Sequence, residues 1–274
     1  HNEGPGPDGK VRFTDVSKET ATCNTLWGWA AKFGDFDNDG WEDIFAVDGL
    51  RSAGPENYIP VLLEMIIKPG IDFTDVRIWP AIGTMTWSGY QKKKLFRNLG
   101  DQTFKEVAAQ AGVDNDLDGR GIGMADLDGD GLLDLYQTNA GQAALLFRNV
   151  SPRPGHWLGL ELAGTRSNRD AIGARVVVRA GAESWLREVN GGNAYASQST
   201  TRLHFGLGAV EKVEAVEVRW PSGLRESFRV PVDRYSTLEE GKGEPLAAPP
   251  VDVQEMAKEG SSKKKAPGKK GPGR

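Results

Sequence analysis

The sequence is poor in the residues that most often build redox and acid–base sites. It contains 1 cysteine and 3 histidines among 274 residues, which excludes an intramolecular disulfide framework. No nucleophile-elbow, zinc-protease, phosphate-loop or dinucleotide-binding motif is present. Cys23 has no histidine near it in sequence, and His204 is predicted to be a structural residue inside a strand. These absences favour a non-enzymatic protein, without deciding the question of catalysis.

Long apolar runs are also missing. No stretch approaches 18 apolar residues, so the sequence predicts no membrane-spanning helix. The longest apolar patch, 61–67, is interrupted by Glu64. The sequence opens on His1 instead of Met and lacks the pattern of a signal peptide. We therefore expect a mature product or a piece of a longer protein.

Charge is distributed unevenly along the chain. The net charge is −4, but residues 1–241 carry −8 and residues 242–274 carry +4. An acidic body disfavours nucleic acid as a partner and is compatible with cations. The segment 242–274 is rich in Pro, Lys and Gly, which predicts a disordered, solvated tail. Contact of this basic tail with an acidic polymer or a membrane surface is the less favoured alternative.

Glycine is abundant: 35 of 274 residues, about 13 %, where roughly 7 % is usual. Some of these glycines belong to internal repeats. GDFDNDGWEDIF, from Gly34, returns as ADLDGDGLLDLY, from Ala125, at an offset of 91 residues. LFRN at Leu95 returns at Leu146, at an offset of 51. The two offsets predict repeats over residues 1–151 with an insertion at about 50–90, built from short strands joined by Asp- and Gly-rich turns.

The sequence changes character after residue 151. Residues 152–241 contain short alternating apolar segments at intervals of roughly 10 to 20 residues, which is typical of a β-sandwich or small barrel. Asn190-Gly191-Gly192-Asn193 is interpreted either as a binding edge or as a hairpin turn. The whole chain is therefore predicted to be all-β.

The strongest chemical pattern is D-x-D-x-D-G-x-x-D, which occurs twice. Calcium prefers six to eight oxygen ligands, and alternate carboxylates in a tight loop supply them, with a main-chain carbonyl at the seventh position. The pattern predicts two Ca²⁺ ions between paired strands, in preference to Mg²⁺ or to empty acidic hairpins. The predicted ligands are Asp35, Asp37, Asp39, Trp41 and Asp43 in one loop, and Asp126, Asp128, Asp130, Leu132 and Asp134 in the other.

Two departures limit this pattern. Position 12 is Ala46 or Gln137 instead of Glu, and the flanking segments are strand-like, so a helix–loop–helix calcium site is excluded. A third cluster, Asp114, Asp116 and Asp118, has Ile122 at its ninth position. An acidic turn is the favoured interpretation of this third cluster.

These residues carry a family resemblance. The frame LFRNLGDQTFKEVAAQAGV…GIGMADLDGDGLLDLYQTN resembles FG-GAP/VCBS-type repeats, and REVNGGNAYASQSTTRLHFGLG with VEVRWPSG resembles the ASPIC/UnbV domain. Together they look like the cartilage acidic protein family and its bacterial homologues. The resemblance implies β-propeller blades with calcium in their loops, followed by a β-sandwich-like domain. It also implies a secreted, periplasmic or cell-surface protein.

A closed propeller needs at least four blades, whereas two repeats are clear here. We expect either a C-terminal fragment of a longer chain or blades completed by oligomerisation. The function predicted is a calcium-stabilised interaction or adhesion module whose partner is an extracellular protein or a glycan. The alternatives are a cyclase or hydrolase on the same scaffold, and a carbohydrate-binding module.

Overall fold

The computed structural model describes residues 1–152 and 155–247. Strands dominate, and helix within these two ranges amounts to two short α-helices and one 3₁₀ turn. The all-β prediction is therefore confirmed. In the part of the chain that the structure describes, none of the helices has the length and apolar character needed to cross a bilayer.

The first half of the chain forms a small hairpin and two larger antiparallel sheets. The hairpin consists of β1 (Asn2–Pro5) and β2 (Val11–Phe13). The first sheet runs in chain order through β3 (Gly28–Gly34), β4 (Asp43–Asp48), β5 (Lys94–Asn98) and β6 (Phe104–Glu106). A single helical turn, Ala108–Ala111, follows β6. The second sheet consists of β7 (Gly119–Ala125), β8 (Asp134–Asn139) and β9 (Leu145–Phe147).

The two sheets repeat the same register. Gly34 pairs with Asp43 at the end of β3 and β4, and Ala125 pairs with Asp134 at the end of β7 and β8. Apolar side chains from both sheets meet in one core, as expected for strands that bury one face. The buried members of this core include Ala30, Phe45, Val47, Leu95, Ile122, Leu133 and Leu135.

The segment between β4 and β5 contains helix α1 (Tyr58–Ile66) and the 3₁₀ turn Val76–Ile78. Asn57 caps α1 by accepting a hydrogen bond from the Ile59 N–H at 3.0 Å. Tyr58, Leu62 and Met65 form a small core of their own. This segment accounts for the two repeat offsets, because β3 and β4 precede it whereas β5 follows it.

The second half is a sandwich of two sheets. One has the order β13 (Leu203–Gly208), β10 (His156–Ala163), β16 (Tyr235–Glu239), with β10 and β16 parallel. The other has the order β12 (Glu183–Glu188), β11 (Arg175–Ala180), β14 (Ala215–Arg219), β15 (Arg225–Phe228), β17 (Glu244–Pro245). Their shared core includes Leu158, Leu160, Val176, Val178, Phe205, Val216, Val218 and Trp220.

Two local expectations need correction. The predicted tail begins at residue 242, but Glu244–Pro245 extend the five-stranded sheet, and buried Glu226 accepts hydrogen bonds from the Gly241 and Gly243 N–H groups, both at 2.9 Å. Asn190–Asn193 do not form a hairpin turn, because they connect β12 and β13, which lie in different sheets. The rest of the predicted tail, 248–274, lies outside the described residues.

Candidate metal centres

The first aspartate loop, residues 35–43, connects β3 to β4. The Asp35 carboxylate is 2 % exposed and accepts hydrogen bonds from the Asp39 N–H at 3.2 Å and the Gly40 N–H at 2.9 Å. Asp39 Oδ1 accepts from the Trp41 N–H at 2.9 Å. Gly40 has φ +96°, in the region that glycine tolerates best, which allows the chain to wind this tightly.

The second aspartate loop, residues 126–134, connects β7 to β8 and repeats these contacts. Asp126 accepts from the N–H groups of Gly129, Asp130 and Gly131 at 2.7–3.1 Å. Asp130 Oδ1 accepts from the Leu132 N–H at 2.9 Å. The first aspartate of each loop therefore organises the turn.

Carboxylate oxygens converge in both loops. One oxygen each from Asp35, Asp37 and Asp39 lie within 4.8 Å of one another in the first loop. Asp126, Asp128 and Asp134 meet the same criterion in the second. Trp41 and Leu132 occupy the seventh position of each loop, and their N–H groups donate to Asp39 and Asp130. The Trp41 side chain is 53 % exposed, whereas that of Leu132 is buried.

The last aspartate of each loop accepts a hydrogen bond from an asparagine later in the same repeat. Asp43 Oδ1 accepts from the Asn98 N–H at 2.8 Å, and Asp134 Oδ1 accepts from the Asn149 N–H at 2.8 Å. The side chain of each asparagine also donates to the preceding turn, Asn98 to the Glu42 carbonyl at 3.1 Å and Asn149 to the Leu133 carbonyl at 3.1 Å. These asparagines close the repeated LFRN segment, whose role sequence reasoning did not identify.

The arginine of the same segment reaches the loop carboxylates. Arg97 lies 2.7 Å from Asp37 and 3.5 Å from Asp39, and Arg148 lies 2.5 Å from Asp128. One guanidinium therefore supplies one positive charge to a loop with four aspartates. The sequence signal for this pairing was that LFRN occurs once after each aspartate loop.

The remaining negative charge is poorly compensated. In the first loop, burial, helped by the neighbouring loop carboxylates and opposed by backbone hydrogen bonds, raises the pKa of Asp35 and of Asp43 to about 7 each. Burial and Asp39 also raise the pKa of Asp37, whose Oδ1 is buried without a hydrogen-bond partner. A divalent cation would neutralise this charge and give the orphaned oxygen a partner, so the donor set fits a hard cation.

The third acidic cluster serves a different purpose. Asp118 is 2 % exposed and accepts from the Ser52 N–H at 2.6 Å and the Ser52 hydroxyl at 2.8 Å. Asp114 lies 3.6 Å from Lys92. In the described part of the chain, this cluster does not gather three ligand atoms as the two loops do. It fastens the start of the insertion to the second sheet.

Both aspartate loops lie against the C-terminal domain. Asn38 donates from Nδ2 to the Gly131 carbonyl at 2.9 Å, and its Oδ1 lies 2.8 Å from His204 Nε2. The Gly208 N–H donates to the Asn38 carbonyl at 2.9 Å. Asn38 therefore joins both loops to β13, and His204 lies inside that strand, where the sequence predicted it.

Close backbone approach completes this junction. A Cβ at Gly131 would lie 2.2 Å from the Trp157 ring, and a Cβ at Gly206 would lie 1.8 Å from Asp35 Oδ2. The Tyr235 hydroxyl donates to Asp126 Oδ2 at 2.9 Å. Since the loops and the sandwich touch at these points, the loop conformation and domain docking depend on each other.

A second contact joins the domains along the free edge of β7. The Ser199 hydroxyl accepts from the Met124 N–H at 3.1 Å, and the Ser197 hydroxyl lies 3.4 Å from the Ile122 N–H. The Thr200 N–H donates to the Met124 carbonyl at 3.3 Å. Two serines spaced by two residues thus match alternate N–H groups of an edge strand.

The other residues considered for catalysis are dispersed. Cys23 is an exposed free thiol. His156 Nδ1 lies 2.7 Å from Asp233 Oδ2 on the C-terminal domain. His204 is buried, which lowers its pKa to about 4 and keeps it neutral. Within the described residues, these side chains do not form a nucleophile–base pair.

Family comparisons agree with this architecture. Residues 82–136 match the FG-GAP-like repeat, and residues 164–245 match the ASPIC and UnbV family. The chain therefore contains one segment similar to the FG-GAP-like repeat and, after it, one similar to the ASPIC and UnbV family. The repeats and the C-terminal domain predicted from sequence motifs are confirmed in type.

The chain is also homologous to curated proteins named cartilage acidic protein 1. It is 35 % identical to that of Xenopus tropicalis over 253 residues, which cover 81 % of this chain and 37 % of the relative. It is 30 % identical to that of Homo sapiens over 190 residues, covering 65 % and 28 %, and 29 % identical to that of Mus musculus over 198 residues, covering 68 % and 30 %. The chain spans about a third of the length of these relatives.

Proposed function

We propose that this protein is a calcium-binding, extracytoplasmic interaction or adhesion module in which two Ca²⁺ ions hold the repeat sheets against the ASPIC/UnbV domain. The observation that carries the proposal is the position of both aspartate loops at the domain junction, joined through Asn38 to β13. The ligands would be the loop aspartates together with the carbonyls of Trp41 and Leu132.

Calcium would act here as a structural ion. Its charge would compensate the buried carboxylates, and its removal would loosen the same loops that Asn38, Gly206 and Tyr235 contact. Extracellular calcium modules typically bind at about 0.1–1 mM, which suits a protein that is secreted, periplasmic or on the cell surface. The partner would be an extracellular protein or a glycan, recognised by the assembled two-domain unit.

Thermal melting with calcium and with chelator tests the metal sites. At tenfold excess over Kd, each occupied site should add about 1.4 kcal/mol to the free energy of unfolding. Asp37→Asn should reduce the calcium-induced rise in Tm, since it removes the charge of a predicted ligand whose buried Oδ1 has no hydrogen-bond partner. Asp72→Asn is the matched control, because exposed Asp72 accepts from the Thr74 N–H in the segment between β4 and β5.

Equal melting temperatures with calcium and with chelator, together with no calcium found by native mass spectrometry, would overturn the metal assignment. The interaction role is tested separately on arrays of extracellular proteins and glycans, with calcium and with chelator. Binding that needs calcium and is lost in Asp37→Asn supports the role. An absence of calcium-dependent binding across both arrays, from protein shown to hold calcium, contradicts it.

A further inference from the structure

Lys32 occupies a position where strand periodicity calls for an apolar residue. It lies on β3 between Ala30 and Gly34, on the face of the strand that points inward. It is 3 % exposed, and its ammonium donates to the Ser199 hydroxyl across the domain junction. In residues 1–152 and 155–247, no carboxylate lies within ion-pair distance of this ammonium.

An unpaired buried ammonium is costly unless a counter-charge reaches it. Burial lowers the pKa of Lys32 to about 8, and no neighbouring carboxylate offsets this effect. One hydroxyl satisfies one of the three ammonium N–H groups, which leaves donors available. The side chain is therefore arranged to receive a further acceptor.

The acceptor has a space to enter. Lys32 lines a cavity of about 320 Å³ between β3 and the C-terminal domain, together with Asn190, Asn193 and Thr200. A cavity of this size holds a small molecule or one residue of a larger one. Amide and hydroxyl groups beside a cation suit a ligand that carries hydroxyl groups as well as negative charge.

The arginines and glutamates that line this cavity are already paired. Arg187 pairs with Glu42 at 3.4 Å, and Arg202 pairs with Glu161 at 3.2 Å. Glu188 lies 3.9 Å from Arg175. His204 is neutral, and the charge of Asp35, which lines the same cavity, would be balanced by the calcium ion proposed for the first aspartate loop. With that ion bound, Lys32 leaves one positive charge uncompensated in the lining, so this step rests on the proposed function.

We infer that the cavity between β3 and the ASPIC/UnbV domain is a binding site for an oxyanion, the carboxylate or sulfate of a small hydroxylated ligand, and that Lys32 is its counter-charge. This site adjoins the first aspartate loop, whose Asp35 and Glu42 line the same cavity, and its ligand goes beyond the proposed calcium role. Its ligand would contact both domains, since Lys32 belongs to the repeat sheets whereas Asn190 and Thr200 belong to the C-terminal domain.

Isothermal titration calorimetry at pH 7 in saturating calcium tests the site with three probes. D-glucuronate supplies a carboxylate, D-glucose 6-sulfate supplies a sulfate, and D-glucose is the neutral control. At least one anionic probe should bind, and glucose should not. Lys32→Met should weaken that binding about tenfold or more, the effect of losing a charge-assisted hydrogen bond. Lys32→Arg keeps the charge and should retain most of the affinity.

Failure of both anions to bind the wild-type protein would overturn the inference. Equal anion binding by Lys32→Met and wild type would also overturn it. If that Lys32-independent binding is lost in Asp37→Asn, the anion is bound at a calcium loop instead. Lys32→Met should keep or raise the Tm without ligand, because it removes a buried charge. If Lys32→Met does not fold, the test is the rate at which acetic anhydride acetylates Lys32 in the wild-type protein, measured by peptide mass spectrometry. The bound anion should slow this acetylation. An unchanged rate contradicts the site.

Discussion

Glu240 offers the most demanding test of how the C-terminal domain is held together. Its carboxylate is 2 % exposed, and Oε2 accepts from the N–H groups of Thr165, Arg166 and Ser167 at 2.7–2.8 Å. Oε1 accepts from the hydroxyls of Ser167 and Ser222. One side chain therefore fixes a loop that begins some 75 residues earlier in the chain.

The charge of this carboxylate is what the surrounding donors stabilise. Burial alone would raise the pKa of Glu240, but hydrogen bonds from Ser167, Ser222, Arg166 and Thr165 outweigh it and lower this pKa to about 2. Glu240→Gln keeps the shape and removes the charge, so charge-assisted bonds become ordinary ones. A hydrogen bond to a charged group contributes about 1.5–3 kcal/mol. We expect Glu240→Gln to reduce the free energy of unfolding by about 2–3 kcal/mol.

Urea denaturation followed by tryptophan fluorescence and circular dichroism measures this loss. Glu239→Gln is the matched control, since Glu239 is next to Glu240 in sequence but its side chain is exposed. This substitution should change the free energy of unfolding by less than about 0.5 kcal/mol. Because the folded-state pKa is lowered, the stabilisation is complete above about pH 4.5 and is lost as pH falls toward 2. The difference between wild type and Glu240→Gln should therefore shrink over that range. Equal stability of the two proteins at pH 7 would refute the reasoning.

Three further outcomes follow from the domain junction. Gly131→Ala should lower Tm and weaken docking, because its Cβ would strike Trp157, whereas Gly129→Ala, with a similar positive φ and open space, should show only the smaller backbone penalty in the same melting assay. Ser199→Ala should speed amide exchange at the Met124 N–H, measured by hydrogen–deuterium exchange, and unchanged protection would contradict the contact. Between about pH 8 and 10.5, the free energy of unfolding of wild type should rise with pH relative to that of Lys32→Met. The reason is that the unfolded chain still holds the Lys32 proton at a pH where the folded protein has released it. Parallel pH–stability curves of the two proteins, measured by urea denaturation, would contradict the lowered pKa of Lys32.

Local patterns in the sequence predicted the sheets well. The short β-prone runs beside the aspartate loops became β3, β4, β7 and β8, and the repeat offsets located the long segment between β4 and β5. The strands depend on alternation and turn residues within about ten positions, and the long segment follows from comparing two offsets between repeated motifs. Both kinds of signal are visible in the sequence without tertiary structure.

Longer-range features could not be predicted. The Asn38–His204 contact joins residues 166 positions apart, and the Lys32–Ser199 contact joins residues 167 apart. Nothing in the residues near Asn38 specifies a histidine partner. Glu226 likewise gave no sign that it orders the turn before β17, because its partners are backbone N–H groups that any residue could supply. The calcium ligands stay a prediction, supported by convergence of carboxylates.

The two serines along β7 have a consequence for biosynthesis. An uncovered edge strand presents free N–H and C=O groups to other chains, which makes it a starting point for aggregation. Ser197 and Ser199 lie on the C-terminal domain, so the ribosome produces the β7 edge before it produces the residues that cover it. The repeat half can therefore associate wrongly with other chains during synthesis until the ASPIC/UnbV domain folds. Once folded, that second domain covers the β7 edge and protects the repeat half from aggregation.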